Sequence, residues 1–404
     1  MAKEVTSITI NYRDIIRVLR IITLVLLLLT AGIVSFVLVY YGIFSLGGYI
    51  GCLLLLILLT YLVLPVIFCF CPHLHQSMVF QPHVDAAGID FEKPQDLRGV
   101  RNFKISDGTI GVWHILPSSL SDKSENQEAS FWQDAVRAKG HNGVIVYFHG
   151  VTGTRGKWHR KELYKVLQDK EHHIISCDYR GFGDSTKVKR ITESGVVDDA
   201  LAVYQFVRQE LLGGDTRIPV FIWGHSLGAG ISSHAVAKLS DLITLPCPNG
   251  LVLESPFDNF GEELRNHAKL KIWRLLPFFD RLFVNPLRKS DIAFQNDHHI
   301  SKISVPIMIM HAKDDNVVPS HLGKRLFEAG RYRPNDFNPL YFVHMKAGKH
   351  NEMYKLNAEF GKIITLFTDA CMHACIPITN LNLNRNSCWH HDCSVDAEIV
   401  CSHC

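Results

Sequence analysis

The chain has 404 residues, a formal net charge of +3 and 47% hydrophobic residues. So small a charge gives no reason to expect a nucleic-acid-binding protein, and the length exceeds what one modest domain needs. Apolar residues are concentrated near the N-terminus, which favours a membrane protein over a purely soluble one.

The N-terminal region predicts a membrane anchor. Residues 21–71 contain no Asp, Glu, Lys or Arg, and two almost wholly apolar runs, 21–40 and 52–70, lie within them. A bilayer span needs about 20 such residues, whereas a signal peptide has an apolar core of only about 7–15. We therefore predict a cytosolic segment at 1–20 and an anchor of one or two spans at 21–71.

Basic residues predict the orientation of this anchor. Arg13, Arg17 and Arg20 precede it, and residues 71–90 behind it contain no Lys or Arg. The positive-inside rule then places the N-terminus in the cytosol. One span would put the rest of the chain in the lumen or outside the cell, and two spans would return it to the cytosol; both remain open.

Beyond a predicted linker at 72–98, the chain alternates between strands and helices. An antiparallel hairpin is predicted around Asp107-Gly108. Apolar runs then predict strands at 144–148, 174–178, 220–223, 251–254, 306–310 and 340–343, and helical spacing predicts helices at 161–168, 193–212, 229–239, 322–329 and 357–368. This pattern indicates an α/β domain over 99–370, with a mostly parallel sheet covered by helices on both faces.

Residues 256–300 interrupt the alternation between the sixth and seventh strands. The segment is rich in large apolar residues, which is typical of a lid that binds acyl chains and also of ordinary packed helices. We predict a lid, with Trp273, Phe278 and Phe279 as substrate-binding residues. Between Glu262 and Lys289 basic residues outnumber acidic ones, which fits either a solvated face or an anionic surface.

The sequence Gly224-His225-Ser226-Leu227-Gly228 follows a predicted strand and precedes a predicted helix. This context is typical of a nucleophile elbow, a tight turn that exposes a reactive serine at the end of a sheet. The glycines permit the close backbone approach that such a turn requires. Ser226 is therefore the predicted nucleophile.

A serine nucleophile needs a base, an acid that orients the base, and donors for the oxyanion. In this architecture the chain order is Ser, acid, His. We predict His350 as the base, with His344 as its rival. Asp315 is the predicted acid, with Asp314 and Asp258 as alternatives; the predicted oxyanion donors are the amides of Leu227 and Val151.

Several motifs together resemble the α/β-hydrolase-domain serine hydrolases. They are His149-Gly150, the run from Asp178 to Ser185, the serine elbow, Glu254-Ser255-Pro256-Phe257, and the run from His311 to Pro319. Further segments resemble the membrane-bound lysophosphatidylserine and monoacylglycerol lipase branch; they are Lys93–Asp96, Ile110–His114, Thr154–Gly156 and His159–Leu167. The likeness covers about residues 91–370.

The resemblance implies an α/β-hydrolase fold and an integral endoplasmic-reticulum membrane lipase that acts on monoacylglycerols and lysophospholipids. It implies no metal or organic cofactor, and nothing indicates an obligate protein partner or nucleic acid. An acyltransferase or thioesterase of the same fold and a non-catalytic membrane scaffold are the alternatives. The pair His173 and Asp178 matches an acyltransferase spacing, which we interpret as coincidence. For the Cys/His-rich tail, 371–404, we predict disorder, because the Cys401-x-x-Cys404 spacing alone is weak support for zinc.

Overall fold

The computed structural model describes residues 30–401 except 31, 35, 39, 43–44, 85–87, 243, 268–269, 334–338 and 373–396. The chain divides into two units, Met1–Ile67 and Phe68–Cys404. The predicted N-terminal segment and most of the first apolar run lie outside the described residues.

Helix α1, Leu46–Phe70, contains the second apolar run. Its 25 residues would measure about 37 Å, which exceeds the roughly 30 Å hydrocarbon core of a bilayer. Within the described part of the chain it is the one helix long and apolar enough to cross a membrane. Apolar side chains on its surface, such as Leu54 and Ile57, are exposed, as a lipid-facing helix requires.

The second unit is built on a nine-stranded sheet whose strand order is β1-β2-β4-β3-β5-β6-β7-β8-β9. The β1–β2 hairpin pairs antiparallel with β4, the strands from β4 through β8 are parallel, and β9 returns antiparallel at the other edge. The strands are β1 Val100–Ile105, β2 Ile110–Ile115, β3 Val144–Phe148, β4 His173–Cys177, β5 Val220–His225, β6 Gly250–Glu254, β7 Ile307–Ala312, β8 Leu340–Met345 and β9 Ala397–Cys401. The predicted fold class, hairpin included, is confirmed.

Helices cover both faces of this sheet. They are α2 Pro72–Val79, α3 Ser118–Ser121, α4 Ala129–Arg137, α5 Trp158–Asp169, α6 Glu193–Phe206, α7 Leu227–Ser240, α8 Phe260–Asn266, α9 Asn285–Lys289, α10 Asn296–Ile300, α11 Ser320–Gly330, α12 Met353–Leu356 and α13 Phe360–Met372. A π-helical turn, Val207–Leu211, continues α6. Alternate strand residues enter two separate buried clusters, so Ile222 packs on one face of the sheet and Trp223 on the other.

The register brings the carboxyl ends of the central strands to one edge of the sheet. Phe148 at the end of β3 pairs with Gly224 of β5, and His225 pairs with Glu254 of β6. On the far side, Ala312 of β7 pairs with Met345 of β8. Loops that follow these strands therefore converge, which is where sheets of this class place their sites.

Residues 72–98 differ from the predicted linker, because part of the segment is packed into the fold. Helix α2 begins at Pro72, and its His75 imidazole binds the Ser290 hydroxyl at 2.7 Å. Val79 and Phe80 are buried in the larger apolar cluster. The sequence predicts a linker because α2 is short and mostly polar, and its few buried residues show no clear helical period.

The C-terminal tail also differs from its prediction at the residues that the structure describes, since Cys371 and Met372 end helix α13. Ala397–Cys401 form β9, which pairs residue for residue with Tyr341–Met345 of β8. Its side chains alternate between half-buried and exposed, and such an edge strand depends on backbone pairing more than on apolar burial. Most of the predicted disordered tail, residues 373–396 and 402–404, lies outside the described residues.

The 256–300 insertion is a chain of short elements. Helix α8 is followed by a 3-10 turn at Trp273–Leu275, a π turn at Asp280–Val284 and then helices α9 and α10. Phe279 and Phe283 are buried in the larger apolar cluster. The insertion is therefore packed onto the domain while it also presents exposed residues, described below.

Candidate active site

Ser226 occupies a strained turn between β5 and α7. Its φ of 55° and ψ of −118° lie outside the ordinary regions for an L-residue, and such strain persists only where the surroundings enforce it. The Ser226 amide donates to the Glu254 carbonyl at 2.8 Å, which fixes the turn to β6. The side chain is 6% exposed at the N-terminus of α7.

The two glycines of the motif are required by close backbone contacts. A Cβ on Gly224 would lie 2.3 Å from the Gly228 carbonyl oxygen, and one on Gly228 would lie 2.1 Å from the Phe148 carbonyl oxygen. Atoms cannot approach this closely without displacing the backbone. The elbow geometry predicted from the sequence is thus present.

The structure brings His350 and Asp315 together. His350 Nδ1 lies 2.8 Å from Asp315 Oδ2, and both side chains are buried. His350 Nε2 and the Ser226 hydroxyl have no hydrogen-bond partner among the described residues. An imidazole held by a carboxylate at Nδ1, with Nε2 unengaged, is the arrangement that a general base needs.

The Asp315 carboxylate is fixed at both oxygens. Its Oδ1 accepts the amides of Val317 and Val318 at 2.9 Å, and its Oδ2 also lies 3.3 Å from His311 Nε2. Burial alone would raise the pKa of Asp315, but hydrogen bonds from His311 and His350 outweigh it and hold the pKa below its ordinary value. The carboxylate is therefore ionised at neutral pH.

The rival residues lie elsewhere. Asp314 accepts the Lys349 amide at 2.8 Å and does not reach the imidazole of His350. Asp258 is paired with Arg325 Nε at 2.9 Å. His344 lies within β8, where burial lowers its pKa to about 4.

The loop after β3 runs beside Ser226. A Cβ on Gly150 would lie 3.2 Å from Ser226 Cβ, so the Val151 amide belongs to a backbone segment that passes close to Ser226. The Val151 carbonyl accepts the Gln81 amide at 3.1 Å. The amides of Val151 and Leu227 donate a hydrogen bond to no described residue. Both are therefore available to an oxyanion.

Two further residues at this edge were not predicted as site residues, although both lie in motifs that are visible in the sequence. His225 Nε2 binds the His350 carbonyl oxygen at 2.9 Å and so connects the elbow to the loop of His350. Glu254 is buried and accepts a hydrogen bond from Trp223 Nε1 at 2.8 Å. Burial raises the pKa of Glu254 to about 7, and the nearby charges of His350 and Asp315 shift it in opposite directions.

A buried ionic network supports the loop after β3. The Arg155 guanidinium binds the carboxylates of Asp178 and Asp184, and His149 Nε2 lies 3.2 Å from Asp178. Asp178 thus has a structural partner. His173, the other half of the acyltransferase-like spacing, is buried in β4, where its Nδ1 lies 3.0 Å from His114 Nε2.

The predicted substrate-binding residues contact other residues of the 256–300 insertion. Trp273 and Phe279 both pack on Phe283, with ring centroids 6.1 Å and 4.9 Å away. Phe278 is 59% exposed, and its ring lies 5.8 Å from the Arg281 guanidinium carbon. None of these ring contacts reaches Ser226 or His350, so their role in substrate binding remains a prediction.

One group of potential metal ligands lies outside this edge. Donor atoms of Glu193, His234 and His299 lie within 4.8 Å of one another. Glu193 already accepts the amides of Ala293 and Phe294 at 2.7 Å, and its other oxygen lies 2.8 Å from His234 Nδ1. The carboxylate is therefore satisfied without an ion.

Comparisons with known proteins agree with this architecture. The family model for serine aminopeptidase S33 matches residues 139–303. Lysophosphatidylserine lipase ABHD12 of Mus musculus is 40% identical over 325 residues, which cover 78% of this chain and 79% of the relative. The Danio rerio protein of that name is 36% identical over 75% of this chain and 79% of its own length.

A human relative and a solved structure extend the comparison. Protein ABHD12B of Homo sapiens is 38% identical over 60% of this chain and 66% of its own length. A Pyrococcus furiosus esterase of known structure is 15% identical, with a TM-score of 0.50 over 73% of this chain and 98% of the esterase; this likeness supports the fold alone. The chain therefore belongs to the ABHD12 family of α/β-hydrolase-fold serine hydrolases, and it is a hydrolase.

Proposed function

We propose that this chain is a membrane-anchored serine lipase that hydrolyses the acyl ester of lysophospholipids of the lysophosphatidylserine type, and of monoacylglycerols. The observation that carries the mechanism is the 2.8 Å contact of His350 Nδ1 with Asp315 Oδ2, beside the strained turn of Ser226. The substrate class rests on relatives named lysophosphatidylserine lipase. The apolar helix α1 supports a substrate that resides in membranes.

In this mechanism the Ser226 hydroxyl attacks the ester carbonyl while His350 Nε2 accepts its proton. Asp315 keeps Nδ1 protonated and stabilises the imidazolium that forms. The Leu227 and Val151 amides hold the oxyanion, and His350 then protonates the departing glycerol oxygen. Water, activated by the same imidazole, cleaves the acyl-enzyme and releases the fatty acid. These steps require no metal.

The first test is covalent labelling of the full chain with a fluorophosphonate. We expect wild-type protein to be labelled and Ser226→Ala to be unlabelled, with Ser233→Ala as the matched serine control. Release of fatty acid from lysophosphatidylserine and monoacylglycerol should follow the same order. Equal labelling of wild type and Ser226→Ala would refute the mechanism, whereas labelling without lipid turnover would refute only the substrate class.

We further propose that the protein resides in the endoplasmic-reticulum membrane with its N-terminus in the cytosol. The three arginines before the apolar region support this orientation. An epitope near residue 330, probed by protease in sealed microsomes, distinguishes one span, which would protect it, from two, which would expose it. Residence in another membrane after cell fractionation would contradict the proposed location.

A further inference from the structure

The 256–300 insertion presents an apolar surface to solvent. Ile272, Leu275 and Phe278 are 58%, 83% and 59% exposed. Single exposed apolar residues are common, but three within seven positions form a patch, and such patches mark interaction sites. We call these residues, together with Arg274 and Arg281, the insertion tip.

The insertion tip is also basic. A cavity of about 420 Å³ between these residues is lined by Arg265, Arg274 and Arg281 together with Phe278 and other residues of the segment. Asp280, the acidic residue of this lining, is paired with Arg265. Among the described residues no carboxylate lies within 4.0 Å of Arg274 or Arg281, so both charges are available to an anionic partner.

The insertion contacts Phe68 and Cys69, which lie in the last turn of α1 and belong to the same unit as the insertion. The ring of Phe68 lies 5.3 Å from that of Phe283, and Cys69 Sγ lies 3.8 Å from the Arg281 carbonyl oxygen. The apolar run of α1 ends at Phe70, so with the proposed anchor these contacts would form where the chain leaves the bilayer. The proposed anchor would therefore place the insertion near the membrane surface.

The insertion is also continuous with the surroundings of the nucleophile. Phe279 and Phe283 belong to the same buried apolar cluster as Leu227, the residue after Ser226. The insertion therefore packs on the same core that supports the elbow.

From these four observations we propose that the insertion tip docks on the anionic surface of the membrane that α1 enters. Leu275 and Phe278 insert among the lipids, and Arg274 and Arg281 contact phosphate groups. Aromatic and aliphatic residues flanked by arginines are the composition that such interfaces favour. The proposal rests on the proposed membrane anchor and deepens the proposed function, but its test measures no catalysis.

The test uses the full chain, in the Ser226→Ala background, reconstituted into vesicles that contain a phosphatidylcholine with a photoreactive diazirine in its acyl chain. Trypsin then releases the peptide Leu275–Arg281 and the comparison peptide Asp314–Lys324, which contains the exposed Val317. We expect several-fold more label on Leu275–Arg281. Adding phosphatidylglycerol to the vesicles should increase that label about fivefold, and high salt should reverse the increase.

Variants separate insertion from general proximity. Leu275→Asp with Phe278→Asp should reduce labelling of the tip peptide to the level of the comparison peptide. The matched control Tyr332→Asp, at a residue 87% exposed, should leave labelling unchanged. Equal labelling of the two peptides in every vesicle would overturn the docking proposal, and label insensitive to phosphatidylglycerol would overturn the role of the arginines. Neither result would bear on whether Ser226 performs hydrolysis.

Discussion

The carboxylate of Asp315 illustrates how neighbouring residues of the same type receive different tasks. One of its oxygens accepts hydrogen bonds from two backbone amides, and the other lies close to ring nitrogens of His350 and His311. Asp314, one position earlier, instead holds the Lys349 amide and so fixes the loop of His350. The sequence alone does not decide which of the two carboxylates orients the base, because both follow the same strand. Only the direction of each side chain distinguishes them.

Exchange of these two carboxylates for amides should separate their roles. Asp315→Asn removes the negative charge that stabilises the imidazolium and favours the wrong tautomer, so we expect kcat to fall about 1,000- to 10,000-fold. Asp314→Asn should cost less than about tenfold, because an amide oxygen can still accept from Lys349. Ester hydrolysis by the two purified variants measures the difference; comparable losses would contradict the assignment.

Glu254 predicts a pH dependence of stability. Burial raises the pKa of the Glu254 carboxyl group from 4.5 to about 7 in the folded state. The folded chain therefore binds the carboxyl proton more tightly than the unfolded chain does. The contribution is fully present below about pH 4.5 and is lost as the pH rises through 7. We expect about 2–4 kcal/mol of the free energy of unfolding to disappear over this range through this group.

Glu254→Gln should remove that dependence, since an amide oxygen can still accept the hydrogen bond of Trp223. Denaturant unfolding of the detergent-solubilised protein at pH 5, 6, 7 and 8 measures the slope. Glu328→Gln, at an exposed position, serves as the control and should retain the wild-type slope. An unchanged slope in Glu254→Gln would show that the carboxyl ionises normally.

At the scale of elements, the junction of β5 and α7 was the most predictable part of the site. The two glycines and the serine follow directly from the steric demands of the turn. The partners His225 and Glu254 were missed because a histidine inside a motif and a glutamate at a strand end carry no periodic signal. Helix α2 and strand β9 were missed for a related reason. A few buried side chains hold α2 and backbone pairing holds β9, and neither produces a periodic pattern in the sequence.

The elbow gives a steric prediction. Gly228→Ala would place a methyl group 2.1 Å from the Phe148 carbonyl oxygen, so we expect a loss of at least about 3 kcal/mol and no fluorophosphonate labelling. Gly230→Ala is the control on the same helix, where the nearest atom is a Phe294 ring carbon at 3.1 Å. That variant should retain labelling. Thermal unfolding and probe labelling measure both, and retained labelling in Gly228→Ala would refute the tight turn.

For the whole molecule, composition and alternation predicted the fold class, but the N-terminal boundary of the catalytic unit could not be derived from them. The unit begins at Phe68, in the last turn of the apolar helix, and not at residue 99. The sequence pattern distinguishes an apolar span from a polar linker. It does not indicate that His75 binds Ser290 or that Phe80 packs near Phe294, which lie far away in the chain.

Truncation tests this boundary. A chain of residues 68–404 keeps the buried Val79 and Phe80, and we expect it to fold and to react with a fluorophosphonate. A chain of residues 99–404 loses these two side chains, at about 1.5–3 kcal/mol each, and also the Phe91 carbonyl that accepts the Trp113 indole. It should be unfolded or unreactive. Equal thermal stability of the two chains would restore the linker interpretation.

Strand β9 has a consequence for the solubility of the protein. Without it, the backbone of β8 would present a row of unpaired donors and acceptors from Tyr341 to Met345, flanked by apolar side chains. Open edges of this kind recruit strands from other molecules and begin aggregation. Residues 397–401 thus protect this sheet edge from self-association, and sequence changes in them bear on the yield of intact protein rather than on its chemistry.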